Sequence, residues 1–236
     1  MGIIGPAQSF RWDSGPLAQY TQGVGRARVD SWMRIDWHDM SGELDHSKLT
    51  FRIAVPTDAS QLACIINAAF RSEKTGQTWL WDDQSLRVDI VSANDTANMI
   101  AGPNTVMLTG NIPNETQPVA CCFLRRPSDP AQSHMTRGAA WFGLLAVSPR
   151  YHYRGYGLAM LAEAEEFVQQ NWNVKRLELD YVNARTELRA WYGRCGYQET
   201  GARRDFPYGD RGRDIFADGL EMIVLGKDLT QATNIS

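Results

Sequence analysis

The chain has 236 residues, of which 43% are hydrophobic, and a formal net charge of −3 at pH 7. This length predicts one domain, or one domain with an arm, and the small negative charge gives the whole molecule no attraction to nucleic acid or membranes. No apolar stretch approaches the roughly 18 residues of a membrane helix. We therefore expect a soluble cytoplasmic protein, a monomer or homodimer, with neither nucleic acid nor a membrane as partner.

Residues 1–48 show no sustained hydrophobic period, so an irregular N-terminal arm is predicted there, followed by one domain at 49–229 and a tail at 230–236. Within the domain, alternating or apolar runs predict strands at 49–55, 105–110, 118–126, 139–147, 174–182, 197–204 and 220–229. Helical spacing predicts helices at 57–71, 158–172 and 184–196.

The order of these elements indicates the fold class. The runs at 105–110 and 118–126 are joined by a turn-forming segment and predict an antiparallel pair. The run at 139–147 is apolar nearly throughout, which is typical of a central strand covered on both faces. One strand–helix–strand crossover follows it. We therefore expect an α+β fold with a sheet of mixed direction.

Residues 151–157, YHYRGYG, lie between the predicted central strand and its crossover helix. The first amides of a helix lack internal partners and its dipole favours an anion, so such a turn is a phosphate cradle in principle. Gly155 and Gly157 allow a close approach of ligand oxygens, and Arg154 adds a positive charge. An ordinary tight turn explains the glycines equally well. The spacing matches neither a Walker loop nor the dinucleotide fingerprint.

The flanking residues resemble the signature of the GNAT superfamily of acyl-CoA-dependent N-acyltransferases, with Val147-x-Pro149 ending a strand before the loop. His152 stands where that family usually has Gln or Arg. A second motif is similar too: Tyr192 stands four residues before Gly196-Tyr197. Arg185-x-x-Leu188 and Thr200-Gly201 are similar to a small-amine branch of the family. The resemblance covers roughly residues 49–229. It implies a mainly antiparallel sheet, flanked by helices and splayed at the strand before the loop.

The resemblance implies a site for acetyl-CoA, with no metal. The strand edge would pair with the pantetheine arm, and the turn would hold the diphosphate. The residues implied are Leu145, Ala146, Val147, His152, Tyr153, Arg154, Gly155, Tyr156, Gly157 and Arg185. The Val147 amide is expected to polarise the thioester carbonyl, and Arg185 to contact a CoA phosphate or a surface carboxylate. Tyr192 matches the proton donor to CoA sulfur, although a core aromatic is the alternative.

The base and the acceptor site are less defined. The strand at 139–147 contains no acid, so Glu178 and Asp180, on one face of the next strand, are the candidates for taking the amine proton. Solvated outward-facing charges are the other interpretation. Trp79, Asp82 and Tyr208 are predicted to bind the acceptor, by cation–π contact at Trp79 and by charge at Asp82. An exposed helix N-terminus is the other interpretation of Asp82.

These residues predict an acetyl-CoA-dependent N-acetyltransferase that acts on a primary amine of a small molecule or peptide by direct attack. The alternative is a CoA-binding module that keeps the fold without efficient transfer, since a strand acid is missing and His152 replaces the usual residue.

Overall fold

The computed structural model describes residues 49–71, 89–113, 115, 117–128, 134–208 and 218–229, all within one compact unit, Glu43–Ser236. The arm predicted at 1–48 and the tail at 230–236 lie outside the described residues, as do Trp79 and Asp82.

The strands are β1 (Thr50–Ile53), β2 (Thr105–Asn111), β3 (Ala120–Arg125), β4 (Ala140–Val147), β5 (Arg176–Val182), β6 (Gln198–Asp205) and β7 (Glu221–Asp228). The helices are α1 (Ala59–Arg71), α2 (Ala93–Ala101), α3 (Tyr156–Trp172) and α4 (Thr186–Arg194), with short 3₁₀ turns at Pro56–Asp58 and Pro149–Tyr151.

The strands form one seven-stranded sheet in the order β1-β2-β3-β4-β5-β7-β6. Neighbours are antiparallel except β4 and β5, which are parallel and joined through α3. This confirms the predicted α+β class, the antiparallel β2–β3 pair and the single crossover. Helix α2 was not predicted at 93–101, although its signal is present: the Ser92 hydroxyl accepts from the Asp95 amide at 3.0 Å and caps the helix.

Both faces of the central strands are buried, as predicted for β4. On one face Phe142 and Leu124 pack with Leu161 of α3 and Tyr192 of α4. On the other face the strands pack against α1 and α2, with Ala146 of β4 in that second core. The sheet therefore has an α3/α4 face and an α1/α2 face, and side chains alternate between them.

A β-bulge interrupts β4. Phe123 pairs with Gly143, while Cys121 pairs with Ala146, so one β3 residue stands opposite Leu144 and Leu145. Leu144 has a φ of +48°, a backbone conformation that costs a non-glycine residue roughly 1–2 kcal/mol. The bulge reverses the alternation of side chains along β4. Phe142, before the bulge, lies on the α3/α4 face, whereas the even-numbered Ala146, after it, lies on the α1/α2 face. Gly143, an isolated glycine inside the apolar run and next to Leu144, is a sequence signal that is typical of a bulge and was not used.

Strand β4 leaves β5 soon after the two meet. Among the described residues, β4 and β5 pair only at Ala140 with Leu177 and at Trp141 with Glu178, although both strands continue beyond these positions. The predicted splay at the strand before the glycine turn is therefore confirmed. The facing edges of β4 and β5 therefore separate beyond Trp141 and Glu178, which leaves a cleft between the two strands.

Candidate active site

The glycine turn joins the open end of β4 to α3. Gly155 occupies the N-cap position with φ +78°, which is the left-handed conformation that glycine adopts without steric cost. The first α3 amide to bond back is that of Ala159, to the Gly155 carbonyl at 3.0 Å. The amides of residues 156–158 have no backbone acceptor in the described ranges, so the first turn of α3 offers three donors to a ligand.

Positive charge surrounds this turn. The guanidinium carbons of Arg150 and Arg154 lie 5.1 and 5.6 Å from the centre of the Tyr151 ring. Tyr153 is 67% exposed at φ +62°, and the side chain of Tyr156 is buried. Tyr156 could therefore contact a ligand at this turn through its backbone only.

His152 contacts the strand rather than the turn. Its Nε2 lies 2.9 Å from the Val147 carbonyl oxygen. Since a carbonyl only accepts, Nε2 carries the proton in this contact, and Nδ1 is the ring nitrogen left for a ligand. The predicted bond from His152 to a diphosphate would have to use Nδ1.

A backbone hydrogen bond of the neighbouring Ser148 shows which edge of β4 is open. The Ser148 amide donates to the Val119 carbonyl at 2.8 Å, on the β3 side. Because backbone groups alternate along a strand, the amide and carbonyl of Val147 point away from β3, toward the cleft. Of the strand edge that was predicted at Leu145, Ala146 and Val147, the backbone groups of Val147 therefore face the cleft.

The first turn of α3, the end of β4 and α4 meet at one side of the cleft. A Cβ added at Gly157 would lie 3.9 Å from Trp191 Cζ2 and 4.0 Å from Val147 Cγ2. Trp191 also packs edge-to-face on Tyr192, with 4.8 Å between ring centres. Glycine at 157 thus leaves space between the α4 aromatics and the strand.

Tyr192 is only 7% exposed, and its hydroxyl has no hydrogen-bond partner in the described part of the chain. Burial raises the pKa of this phenol, and the charges of Cys195 and Asp180 raise it further. The hydroxyl therefore holds its proton at neutral pH. Neighbouring Tyr197 differs, because its hydroxyl donates to Glu165 at 3.1 Å.

Glu178 and Asp180 share one face of β5 but have different surroundings. Glu178 is completely buried, and its two oxygens accept from the Thr136 amide at 2.9 Å and Arg176 Nε at 2.7 Å. Such full pairing is typical of a structural acid, so its predicted role as a base has less support. Neither acid is a solvated outward-facing charge.

Asp180 lies two residues further along β5, where β4 has already diverged. Its Oδ2 accepts from Arg204 Nη1 at 2.5 Å. Burial raises the pKa of Asp180 from its ordinary value, against the lowering effect of Arg204 and Arg125. Asp180 is therefore an acid with a raised pKa at the point where β4 and β5 separate.

Two other predicted residues already have protein partners. Arg185, the N-cap residue of α4, forms an ion pair through its Nε with Glu187. A surface carboxylate was the predicted alternative to a CoA phosphate as its partner. The Tyr208 hydroxyl accepts from the Leu220 amide at 2.7 Å, and its side chain is 48% exposed. Their contacts to CoA and acceptor stay predictions.

Four residues near Asp180 were missed by sequence reasoning: Arg125, His134, Trp141 and Arg204. They come from β3, the β3–β4 connection, β4 and β6, so only the sheet order brings them together. Strand alternation places residues 178 and 180 on one face, but no local pattern connects 125 to 204. In the described ranges, no group of three or more metal-ligating side chains occurs, and no helix is long and apolar enough to span a bilayer.

Solved structures share this fold. The ribosomal-protein-S18-alanine N-acetyltransferase of Escherichia coli aligns over 80% of this chain and 98% of its own, with TM-score 0.54 and 16% identity. NAA60 of Arabidopsis thaliana, solved with a bisubstrate analogue, aligns over 77% and 98%, with TM-score 0.55 and 13% identity. A putative phosphinothricin N-acetyltransferase aligns over 78% and 99%, with TM-score 0.55 and 16% identity.

No curated protein matches the sequence significantly. The family model described as "Acetyltransferase (GNAT) family" matches residues 66–197, which is more than half of the chain and includes both the glycine turn and Tyr192. The chain therefore belongs to the GNAT family of N-acetyltransferases.

Proposed function

We propose that the protein transfers an acetyl group from acetyl-CoA to a primary amine of a small molecule or peptide by direct attack. The observation that carries this proposal is the edge of β4 beyond Trp141, which has no partner strand among the described residues. The amides of residues 156–158, which have no backbone acceptor there either, follow it after the turn. An extended ligand with amides and a diphosphate is complementary to that combination of strand edge and helix start.

The acyl donor would lie along the cleft with its diphosphate at the turn. The amides of the first α3 turn would bind the phosphate oxygens, and Arg154 would add positive charge. The Val147 amide faces the same cleft and would donate to the thioester oxygen, which gains negative charge during attack. His152 holds the Val147 carbonyl and so fixes the direction of that peptide unit.

Asp180 and Tyr192 would handle the two protons. An alkyl ammonium has a pKa near 10.4, so only roughly 1 in 10³ molecules is neutral at pH 7, and a base that takes the amine proton increases the reactive fraction. Asp180 would take the ammonium proton first, so that the nitrogen lone pair can then bond to the carbonyl carbon, and a second proton of that nitrogen would pass to solvent after the attack. As the carbon–sulfur bond breaks, Tyr192 would donate its proton to the thiolate, and both residues would re-equilibrate with solvent.

The acceptor belongs to the same proposal. The Arg185-x-x-Leu188 and Thr200-Gly201 pattern favours a small amine, and one structural relative is titled as a phosphinothricin N-acetyltransferase. Another is named for the alanine of a ribosomal protein, which is a peptide-type amine, so we keep both classes of amine. The alternative, a module without transfer, rested partly on the missing acid of β4; the family match and the position of Asp180 on β5 favour transfer over it.

The cradle is tested by Gly155→Ala. A side chain at φ +78° strains the turn and disturbs the amides of residues 156–158, so acetyl-CoA should bind at least about tenfold more weakly in isothermal titration. Gly201→Ala is the matched control, because Gly201 has φ +87° with open space around it on edge strand β6. Equal affinities of the two variants would remove the turn from the binding site.

Tyr192→Phe tests the proton donor. It keeps the ring but deletes the proton proposed for CoA sulfur, so kcat should fall by about 10²–10⁴ with little change in acetyl-CoA affinity. Stability should hardly change, since no described residue bonds the hydroxyl. Tyr197→Phe is the control: it loses the bond to Glu165, which should cost roughly 1 kcal/mol of stability but leave kcat intact. Unchanged turnover in Tyr192→Phe would return Tyr192 to the core-aromatic role.

Asp180→Asn tests the base. Only the deprotonated carboxylate accepts a proton, so kcat/KM of the wild type should fall as pH drops through the pKa of Asp180, which burial raises. The Asn variant should lose that acid limb and have a lower kcat/KM at neutral pH. Glu178→Gln should retain the limb. A pH profile that is the same in wild type and Asp180→Asn would mean that the amine enters already neutral.

A further inference from the structure

The ion pair between Arg204 and Asp180 joins two strands that are not neighbours in the sheet. Asp180 lies on β5 and Arg204 on the edge strand β6, with β7 between them. Adjacent strands lie about 4.8 Å apart, so the arginine side chain has to reach over β7 to bring its Nη1 to 2.5 Å from Asp180 Oδ2. Only a long side chain at position 204 can make this contact.

An aromatic ring lies beside the guanidinium group. The guanidinium carbon of Arg204 is 5.8 Å from the centre of a Trp141 ring, a distance at which a cation and a ring face attract each other. His134 packs edge-to-face on Trp141, with 5.2 Å between ring centres. Trp141 is 7% exposed and lies at the last described position where β4 pairs with β5. The arginine is therefore held against a packed ring at the point where the two strands separate.

The ion pair is partly buried. The side chain of Asp180 is 15% exposed and that of Arg204 is 25% exposed. Opposite charges attract each other more strongly when they are partly removed from water, and a buried carboxylate that loses its cation takes up a proton more readily. A carboxylate has about four acceptor positions, so the bond at Oδ2 leaves capacity for an ammonium proton. Arg204 can therefore keep Asp180 charged without preventing its use as a base.

We infer that Arg204 is a positioning residue for Asp180: from β6 it fixes the carboxylate where β4 and β5 separate and keeps it ionised in its buried position. This inference rests on the proposed acetyl transfer with Asp180 as the base. Arg204 acts through Asp180 and is assigned no contact with either substrate. Its ion pair sets how far the pH can fall before the base is protonated.

The direction of the effect follows from the forces on this acid. Burial raises the pKa of Asp180, whereas Arg204, the backbone amide of Asp180 and Arg125 lower it, with Arg204 as the largest of the three. Without Arg204, burial would be opposed less, so the pKa of Asp180 should rise further. Because only the ionised carboxylate accepts a proton, the acid limb of kcat/KM should then move to higher pH.

The other titratable neighbours on the described elements require one control. Burial, together with Arg204 and Arg125, lowers the pKa of His134 to about 4, so the loss of Arg204 would raise that pKa too. Tyr192 on α4 keeps its proton, because burial raises its pKa. Asp180→Asn combined with Arg204→Gln separates the groups: it should show no acid limb if the limb belongs to Asp180.

Glu178 is the remaining acid on the same face of β5. Its oxygens bond Arg176 Nε and the Thr136 amide, and neither contact involves Arg204. A substitution at position 204 therefore leaves the hydrogen bonds of Glu178 in place.

Arg204→Gln tests the inference by two titrations. Aspartate-selective carboxyl NMR, assigned with Asp180→Asn, follows Asp180 in the protein without substrates. The pH profile of kcat/KM uses the most reactive primary amine from a panel of diamines, amino acids and Ala-terminated peptides. A nearby opposite charge lowers a carboxyl pKa by about 1–3, so both titrations should move up by about one pH unit or more. On the limb this is about a tenfold loss of kcat/KM, whereas the alkaline plateau should stay within about threefold of the wild type.

Three further variants separate charge from structure. Arg204→Met removes the same charge with an unbranched chain beside Trp141, so it should show the same shift and decides the matter if Arg204→Gln does not fold. Arg204→Lys keeps the charge and should bring the limb back toward the wild type. Arg203→Gln is the matched control on β6: Arg203 binds Glu221 at the surface, so its loss should leave the limb in place.

The outcomes separate the inference from the function on which it rests. If amines are acetylated but neither titration moves in Arg204→Gln and Arg204→Met, the inference is overturned and the proposed transfer stands. A limb that moves equally in Arg203→Gln would also contradict it. If the wild type has no acid limb that Asp180→Asn removes, Asp180 is not the base and Arg204 does not position one. If acetyl-CoA binds but no amine releases thiol, the proposed function itself fails, and the inference with it.

Discussion

The separation of β4 from β5 beyond Trp141 and Glu178 is the constraint on which the site depends. Two parallel strands that stay paired would satisfy each other's backbone groups and leave nothing for a ligand. Here the pairing ends after two positions, so the Val147 peptide faces a cleft rather than a neighbouring strand. The bulge at Leu144 and the turn at Gly155 direct the strand end and the helix start to the same side of that cleft.

Two acids on β5 illustrate how surroundings divide roles. Glu178 lies where the strands still pair, and its two oxygens bind a backbone amide and Arg176. Asp180 lies one pleat further on, at the opening, with a raised pKa and an ion pair to Arg204. Burial favours the neutral form of an acid unless its oxygens are fully bonded, so the acid at the opening is suited to exchange a proton.

Much of the fold could be predicted because its signals are local. The apolar run of β4, the glycine turn and the crossover helix are each contained in a short stretch of sequence, and so is the tyrosine motif of α4. The residues around Asp180 could not be predicted, because Arg125 of β3 and Arg204 of β6 come near it only through the order of the sheet. The prediction for His152 was also incomplete, because its hydrogen bond to the Val147 carbonyl depends on how the turn folds back on the strand.

The central claim is that acetyl-CoA binds along the edge of β4 and at the start of α3. Hydrogen–deuterium exchange with and without acetyl-CoA tests this most directly, because a ligand that accepts from an amide slows exchange at that amide. We expect protection at Val147 and at residues 156–158, with exchange in β7 unchanged, since β7 is paired on both sides. Saturating acetyl-CoA that leaves the end of β4 and the start of α3 exchanging as fast as in the free protein would contradict the account.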